Sequence, residues 1–215
     1  MTADETLTFY HAPNTRSTGT RVLLEELGAP HVMQVLNLKA GEQRQPGYLA
    51  INPLGKVPAI RHRGAVVTEQ SAITLYLADE YPAAGLAPPI GDPLRGPYLR
   101  WLAYYAAAFE PAVIDRALKR DPAPPSMCPY GDFDAMLRVV TDQLAAGPWL
   151  LGDRFSAADV LWGTALAWTV GFGLVPESPP VMDYVARIAA RPASLAVRQR
   201  DAELAARQDA AANAG

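Results

Sequence analysis

Residues 52–60, NPLGKVPAI, place two prolines around a Gly-Lys pair, directly before an apolar pair that is typical of the start of a β-strand. The dipeptides Asn-Pro and Leu-Gly mark a loop, so turn chemistry accounts for the first half of this stretch. It does not account for Pro58, because a proline at the mouth of a strand gives up its N–H and restricts Val57 to extended backbone geometry. The stretch therefore predicts a strand start, a sheet edge or a cis bond at Pro58, with either a structural or a ligand-facing role.

The first eighty residues alternate between the two-residue period of strands and the longer period of amphipathic helices. The predicted elements are a strand over 7–11, a helix over 18–27, a strand over 31–38, a short helix near 45–50, two strands within 59–68 and a helix over 69–82. Gly28 ends the first helix, and Arg63-Gly64 turns the chain between the last two strands. The order β-α-β-α-β-β-α predicts a compact α/β unit.

From residue 81 the composition changes, and no convincing strand follows. Proline and glycine are frequent in residues 81–97, as is typical of a linker. Helices are predicted over 99–120, 132–147, 155–168 and 182–191, and then in an alanine-rich tail that we expect to fray. Pro111 is expected to bend or break the first of these helices, and Ser156 with Asp159 to cap the third. We thus expect an α/β domain over 1–82, a linker over 83–92 and an all-helical domain over 93–215.

Composition and charge argue against several classes of protein. The 19 Lys and Arg residues face 22 Asp and Glu residues, and the net charge of −3 gives no electrostatic case for nucleic acid or a membrane surface. The acidic start lacks the basic-then-apolar order of a secretory signal, so we expect a cytoplasmic protein. Cys128 is the only cysteine, which excludes an internal disulfide and a CxxC metal or redox site. The uncharged run 160–176 is slightly short for a bilayer, and we predict a buried core helix there.

The chain resembles the glutathione transferase family over nearly its whole length. The resemblance rests on features that arrive in family order: a strand, polar loop and helix at the start, NPLGKVP at 52–58, TEQSAITLYLADEYP at 68–82, and GDRFSAAD at 152–159 after a proline-rich linker. Members of that family combine a thioredoxin-like first domain with a helical second domain. The resemblance implies the same fold class here, glutathione as a co-substrate, and a homodimer.

The resemblance also implies how the central part of glutathione is held. By it, Pro58 is cis, and the main chain of Val57 pairs with the cysteinyl part as a neighbouring strand would. Glu69 accepts from the γ-glutamyl ammonium, and Gln70 donates to the α-carboxylate at a helix N-terminus, where unpaired N–H groups favour anions. The family usually has serine where Gln70 stands, so its longer amide can shift this contact. Structural alternatives stay open: a trans proline that ends a loop, and a Glu69 that only caps its helix.

Two further positions are implied at the glycyl end. Counting without a gap from Gly28, Gln43 falls where theta-like and zeta-like members have a polar glutathione contact. Lys56 falls where a basic or polar residue reaches the terminal carboxylate. Both are expected to be exposed, where an ion pair contributes under about 1 kcal/mol. The alternative for both is a solvated loop with no ligand role.

The resemblance places the group that contacts the glutathione sulfur in the loop between the first strand and first helix, within YHAPNTRSTGTR at 10–21. One hydrogen bond to a thiolate contributes about 1.5–3 kcal/mol, or roughly one to two pKa units, and a free thiol has a pKa of about 8.5. The candidates are Thr15 and Asn14 first, Ser17 next and Tyr10 last, with Arg16 adding positive potential. The hydroxyls are equally suitable as helix caps.

Four aromatic residues on the first long helix suggest an apolar acceptor pocket between the two halves, although such a helix is also typical of a core or a dimer interface. They are Trp101, Tyr104, Tyr105 and Phe109. We therefore expect a transferase that conjugates glutathione to a small apolar electrophile. The first alternative is a glutathione-dependent disulfide reductase or peroxidase, although residues 11–17 hold no cysteine for a protein-bound mixed disulfide. The second is a non-enzymatic adaptor, which the presence of Glu69 and Val57-Pro58 disfavours.

Overall fold

The computed structural model of the protein describes residues 5–121 and 123–213. Its first part contains four strands, β1 (Thr8–His11), β2 (Val32–Val35), β3 (Ala59–His62) and β4 (Ala65–Thr68), in one sheet of order β2-β1-β3-β4. β1 pairs in parallel with β2 and antiparallel with β3, and β3 and β4 form a hairpin. Along β1 the side chains alternate, so that Phe9 and His11 are buried while Thr8 and Tyr10 are half-buried. His11 thus ends the central strand inside the protein.

Three helices accompany the sheet: α1 (Ser17–Leu27), α2 (Pro46–Leu49) and α3 (Gln70–Glu80). α1 buries an apolar stripe that includes Val22, Leu23 and Leu27, as its helical spacing predicts. It ends at Gly28, whose φ of 60° is the left-handed conformation that glycine adopts without a Cβ clash. The element order confirms the predicted β-α-β-α-β-β-α unit, which has the thioredoxin-like arrangement.

The second part is helical, and its described residues contain extended pairing only as two isolated bridges within 149–154. Its helices are α4 (Arg95–Tyr104), α5 (Glu110–Ala117), α6 (Phe133–Ala146), α7 (Ala157–Gly171), α8 (Pro179–Ala189) and α9 (Pro192–Asn213). Trp101 of α4 and Trp162 of α7 are fully buried, and their ring centroids lie 5.6 Å apart in an edge-to-face pair. Large apolar side chains therefore join the helices into one core, as the sequence predicts.

The helix predicted to bend or break at Pro111 instead widens just before it. A π-helical turn over Tyr105–Phe109 joins α4 to α5, and the chain stays helical on both sides. Proline has no N–H to donate to the carbonyl four residues earlier and its ring crowds that carbonyl, so a wider turn at this point accommodates it. Tyr105 remains buried in this turn.

The third predicted helix begins as expected. Ser156 and Asp159 form a capping box at the start of α7, and the Asp159 carboxylate also accepts from Leu150 N at 2.8 Å. The uncharged run lies largely in α7 and is a core helix, with Trp162 and Leu166 fully buried. None of the helices in the described ranges combines the length and apolar content that crossing a bilayer requires.

The last helix was expected to fray, but the structure shows α9 as one helix of 22 residues. It packs against α1, where Val197 is buried, and Arg191 just before it forms a two-bond ion pair with Glu26 at 2.6 and 2.7 Å. Because α9 lies along α1, Asp201 reaches the end of the central strand.

Candidate functional site

The loop of residues 12–16 joins β1 to α1 and carries the candidates for contact with the glutathione sulfur. Asn14 is exposed and has a φ of 57°, a left-handed conformation that asparagine adopts more readily than most residues. Thr15 is half-buried, and Ser17, the first residue of α1, is 0% exposed. The structure therefore brings Asn14 and Thr15 to the outside of the loop and places the Ser17 hydroxyl inside.

The two hydroxyls of this loop contact each other and the loop backbone. Thr15 Oγ1 lies 2.7 Å from Ser17 Oγ, donates to the carbonyl of Ala12 at 2.8 Å and accepts from the N–H of Ser17 at 3.1 Å. Ser17 Oγ accepts from the N–H of Ala12 at 3.1 Å and lies 3.0 Å from its carbonyl. Thr15 therefore accepts from the first N–H of α1, whereas the Ser17 hydroxyl bonds to the loop and not to a helix N–H, and the N-cap residue Arg16 makes no side-chain cap bond.

A buried histidine and a carboxylate extend this network inward. His11 Nδ1 lies 2.8 Å from Ser17 Oγ, and His11 Nε2 lies 3.1 Å from Asp201 Oδ1. Asp201 also accepts from the Thr18 hydroxyl at 2.6 Å and from the guanidinium of Arg21. Burial raises the pKa of Asp201, but the hydrogen bonds from His11, Thr18 and Arg21 outweigh burial and hold this pKa below its ordinary value. Asp201 is therefore ionised at neutral pH.

A second polar cluster joins the same loop to the helical half. Arg16 donates to Glu110 through Nε at 2.9 Å and through Nη2 at 2.8 Å, and its guanidinium lies 5.7 Å from the Trp168 ring centroid. Tyr105 hydrogen bonds to Glu110 and contacts Gln70 Oε1 at 2.9 Å, and Gln70 Nε2 donates to the Arg16 carbonyl at 3.0 Å. Burial, together with the adjacent Glu110 charge, raises the pKa of Tyr105 well above its ordinary value. Tyr105 therefore stays a neutral donor.

A cavity of about 370 Å³ opens between these clusters. Part of its wall comes from the first half of the chain, namely Asn14, Thr15, Arg16, Thr18, Gly19, Val22 and Gln70. Most of the remainder comes from α5, α7, α8 and α9 and is largely apolar, with Val113, Ala167, Trp168 and Ile188 as examples. Of the four aromatic residues proposed for an acceptor pocket, only Tyr105 lines this cavity. Trp101 and Phe109 are core residues, and the half-buried Tyr104 donates to the Met136 carbonyl at 3.0 Å.

The loop before β3 contains the stretch from which the fold was predicted. The peptide bond between Val57 and Pro58 is cis. The Lys56 carbonyl accepts from the Tyr48 hydroxyl at 2.6 Å and from Asn52 Nδ2 at 2.9 Å, which fixes the chain just before it. Among the described residues, the N–H and carbonyl of the half-buried Val57 have no hydrogen-bond partner, so both remain available to a ligand.

The other predicted glutathione contacts surround this loop. Glu69 is exposed at the N-terminus of α3 with a φ of 66°, and no other described residue bonds to its carboxylate. Lys56 is exposed, as expected. Gln43 is not: it is half-buried in a 3-10 turn (Glu42–Arg44), with a buried Oε1 that has no partner among the described residues. None of Gln43, Lys56, Val57 and Glu69 lines the cavity, whereas Gln70 does.

Comparison with known proteins matches residues 5–79 to the glutathione S-transferase N-terminal domain and residues 111–187 to the glutathione S-transferase C-terminal domain. A glutathione transferase from Methylococcus capsulatus is 31% identical with a TM-score of 0.76, covering 91% of this chain and 98% of that one. The chain belongs to the glutathione transferase family.

Two further relatives are informative about the ligand and the type of reaction. A sphingomonad glutathione S-transferase complexed with glutathione is 28% identical, with a TM-score of 0.74 over 91% of this chain and 98% of that one. The disulfide-bond oxidoreductase YfcG of Escherichia coli is 28% identical over 199 residues, which are 86% of this chain and 91% of the relative. Glutathione is accordingly a substrate or co-substrate of this glutathione transferase family member.

Sequence reasoning missed the buried His11–Asp201 pair and the Arg16–Glu110 ion pair. Each joins residues far apart in the chain, by 190 positions for the first and 94 for the second. One local signal was present: His11 lies two positions after the buried Phe9 in a strand that alternates, so its side chain is directed inward. The described residues contain no cluster of three or more groups able to hold a metal ion.

Proposed function

We propose that this protein conjugates glutathione, through its sulfur, to a small apolar electrophile bound in the cavity. The observation that carries the proposal is the position of Asn14 and Thr15. They form one wall of a cavity whose opposite wall consists largely of apolar side chains from the helical half, such as Val113 and Trp168. A thiol held at this loop would meet an apolar acceptor without crossing bulk water.

The tripeptide would lie along the loop before β3 and reach the N-terminus of α3. The unpaired N–H and carbonyl of Val57 suit the cysteinyl backbone, as an added strand would. Glu69 would accept from the γ-glutamyl ammonium, and Lys56 and Gln43 would bind near the glycyl carboxylate. The side chain of Gln70 already contacts Arg16 and Tyr105, so we assign its backbone N–H to the γ-glutamyl carboxylate.

Within the loop, Asn14 and Thr15 are the groups that can reach the sulfur. Ser17 is fully buried and hydrogen bonds to His11, so it acts on the sulfur only through Thr15. Arg16 is paired with Glu110, so this wall presents an ion pair rather than a net charge. An uncharged, largely apolar acceptor suits such a wall. Cytoplasmic location and a homodimer belong to the same proposal.

Glutathione binding is tested first, by retention on immobilised glutathione. The wild type is expected to be retained, and Glu69→Ala to elute with little retention because the ammonium loses its acceptor. Glu177→Ala is the matched control, since Glu177 is another exposed glutamate close to a helix start and does not line the cavity. Equal retention of wild type and Glu69→Ala would contradict the assignment of Glu69. A wild type that is not retained would favour the adaptor.

The reaction is tested by parallel rates with a chloronitroaromatic acceptor and with a mixed disulfide of glutathione. We expect the first rate to exceed the second. The second candidate function is disulfide reduction, which the similarity to a disulfide-bond oxidoreductase favours. That reaction would need two glutathione molecules, because Cys128 lies outside the cavity lining. A faster rate with the mixed disulfide would replace the first proposal with the second.

A further inference from the structure

Four polar groups form an unbroken hydrogen-bonded chain whose two ends, Thr15 and Asp201, both line the cavity, while its middle is buried. Thr15, which lines the cavity, contacts Ser17 at 2.7 Å, Ser17 contacts His11 Nδ1 at 2.8 Å, and His11 Nε2 contacts Asp201 at 3.1 Å. The three inner side chains are buried, with exposed fractions of 0%, 0% and 4%. The proposed function leaves His11 and Asp201 without a role.

The donor and acceptor capacity of these groups determines which group donates in each hydrogen bond of the chain. Asp201 is ionised and can only accept, so a neutral His11, the form that can act as a base, carries its proton on Nε2. His11 Nδ1 is then an acceptor, and the hydroxyl within reach, that of Ser17, donates to it. Thr15 in turn directs its proton to Ser17 Oγ or to the Ala12 carbonyl. When Thr15 donates to Ser17, every proton of the chain points from Thr15 towards Asp201.

We propose that His11 takes up the thiol proton of glutathione through the Thr15 and Ser17 hydroxyls, with Asp201 stabilising the imidazolium that forms. This inference rests on the proposed function, because it requires the glutathione sulfur to lie beside Thr15. His11 then acts as a base through a hydroxyl relay, and Asp201 is a positioning residue that keeps His11 Nδ1 free to accept.

The step balances without any further reactant. The S–H bond breaks and its proton passes to Thr15 Oγ1, the Thr15 proton passes to Ser17 Oγ, and the Ser17 proton passes to His11 Nδ1. The thiolate keeps the electron pair and forms the new carbon–sulfur bond, while the leaving group departs with the electron pair of its own bond. After the product leaves, the proton returns along the same hydroxyls to water in the emptied cavity.

The charges around His11 make this proton transfer feasible. A buried imidazolium is unfavourable by itself, but the Asp201 carboxylate of α9 faces Nε2 directly and offsets the loss of water. Arg21 of α1 pairs with the same carboxylate, and its positive charge opposes the imidazolium, which favours return of the proton once the thiolate has reacted. Asp201 has the hydrogen-bonding role that the carboxylate plays in a Ser-His-Asp arrangement.

The test counts protons when glutathione binds. Thiolate formation is followed by ultraviolet absorbance, and proton release by an indicator dye in weakly buffered solution near neutral pH. If Thr15 or Asn14 only donates a hydrogen bond to the sulfur, each thiolate formed releases one proton to solvent. With the relay, the wild type forms thiolate and releases far less than one proton, because His11 keeps it.

Two variants sharpen this count. His11→Asn retains an acceptor for the Ser17 hydroxyl but cannot take up a proton at neutral pH, so kcat/KM should fall by on the order of 100-fold. Any thiolate that this variant forms should release a full proton. Ser17→Ala keeps the Thr15 hydroxyl but interrupts the chain, and we expect a comparable loss. His62→Asn is the matched control, since His62 is also buried and bonds to the Tyr76 hydroxyl at 2.9 Å, away from the cavity.

The outcomes separate this inference from the proposed function. Glutathione binding by the wild type with release of one proton per thiolate overturns the relay and leaves the proposed function intact. Unchanged thiolate formation and activity in His11→Asn would also overturn the relay and leave the proposed function intact. A wild type that does not bind glutathione overturns the proposed function and the relay together. Should Ser17→Ala fail to fold, the wild-type proton count and His11→Asn still decide the question.

Discussion

The two loops assigned to glutathione are stabilised in opposite ways. The loop over 52–58 depends on near neighbours in the chain, since Tyr48 and Asn52 donate to the Lys56 carbonyl from eight and four positions away. The loop over 12–16 depends on a carboxylate 190 positions from His11. The first loop is therefore complete within one short stretch of the chain, whereas the contacts of the second form only after the two halves of the chain have packed.

The largest effect is expected from removing Asp201, the distant carboxylate that supports the loop over 12–16. Asp201→Ala leaves the buried Arg21 without its carboxylate, and removing one partner of a buried ion pair typically costs about 3–5 kcal/mol. We expect a decrease of that size in the free energy of unfolding, measured by urea denaturation. Asp209→Ala on the same helix is the control, because Asp209 pairs with Lys39 at the surface and its loss should cost under about 1 kcal/mol. Equal losses would contradict the contrast between the loops.

The next effect is a dependence of stability on pH. The folded pKa of Asp201 lies below its ordinary value, so this group stabilises the protein above an unfolded pKa of about 3.9, and the contribution is lost as the pH falls through the folded pKa. We expect the free energy of unfolding to fall more steeply in acid for the wild type than for Asp201→Asn. Urea midpoints between neutral pH and the acid limit measure both slopes, and parallel slopes would show that Asp201 is not the group responsible.

A smaller effect concerns the local support of the other loop. Tyr48→Phe removes one of the two donors to the Lys56 carbonyl, and we expect a loss of about 1 kcal/mol in the free energy of unfolding. Combining it with Asn52→Ala leaves this carbonyl without either donor, so the double variant should lose more than the sum. Calorimetric titration should show weaker glutathione binding in Tyr48→Phe and in the double variant than in the wild type. Full affinity in the double variant would mean that this loop does not position Val57.

The smallest effect is expected for Asn14→Gly. Its φ of 57° is open to glycine, so Asn14→Gly should change the free energy of unfolding by no more than about 0.5 kcal/mol, whereas the β-branched Asn14→Val should cost about 1–3 kcal/mol. Thermal unfolding of the two variants measures this difference. A change in glutathione thiol ionisation in Asn14→Gly, at preserved stability, would identify the amide as a donor to the sulfur. Equal stability of the two variants would contradict the backbone assignment.

Local patterns were sufficient to predict most of the fold. The alternating β1, the apolar stripe of α1 with its terminal Gly28, and the capping box of Ser156 depend on residues a few positions apart, and each is present in the structure. The prediction for the helix through Pro111 was less accurate. The sequence shows that proline disturbs a helix, but it does not show that the surrounding core accommodates a π-helical turn there.

The candidate site was predictable only where its partners are near in sequence. Asn14, Thr15 and Gln70 were identified and do line one cavity, but the engagement of the Gln70 amide by Arg16 and Tyr105 depends on how the halves pack. Nothing in the sequence around Asp201 distinguishes it from the exposed acidic residues of the same helix. Its burial follows from the packing of α9 on α1, which is a property of the whole fold.

The position of Asp201 also has a consequence for biosynthesis. Domains generally fold in order as the chain emerges from the ribosome, so the sheet and α1 can form while α9 is still being translated. During that interval His11 has no carboxylate to accept from it, and Arg21 has no counter-ion. The nascent thioredoxin-like half can therefore attain its shape early, but His11 and Arg21, which lie beside the loop over 12–16, gain their carboxylate only when α9 docks.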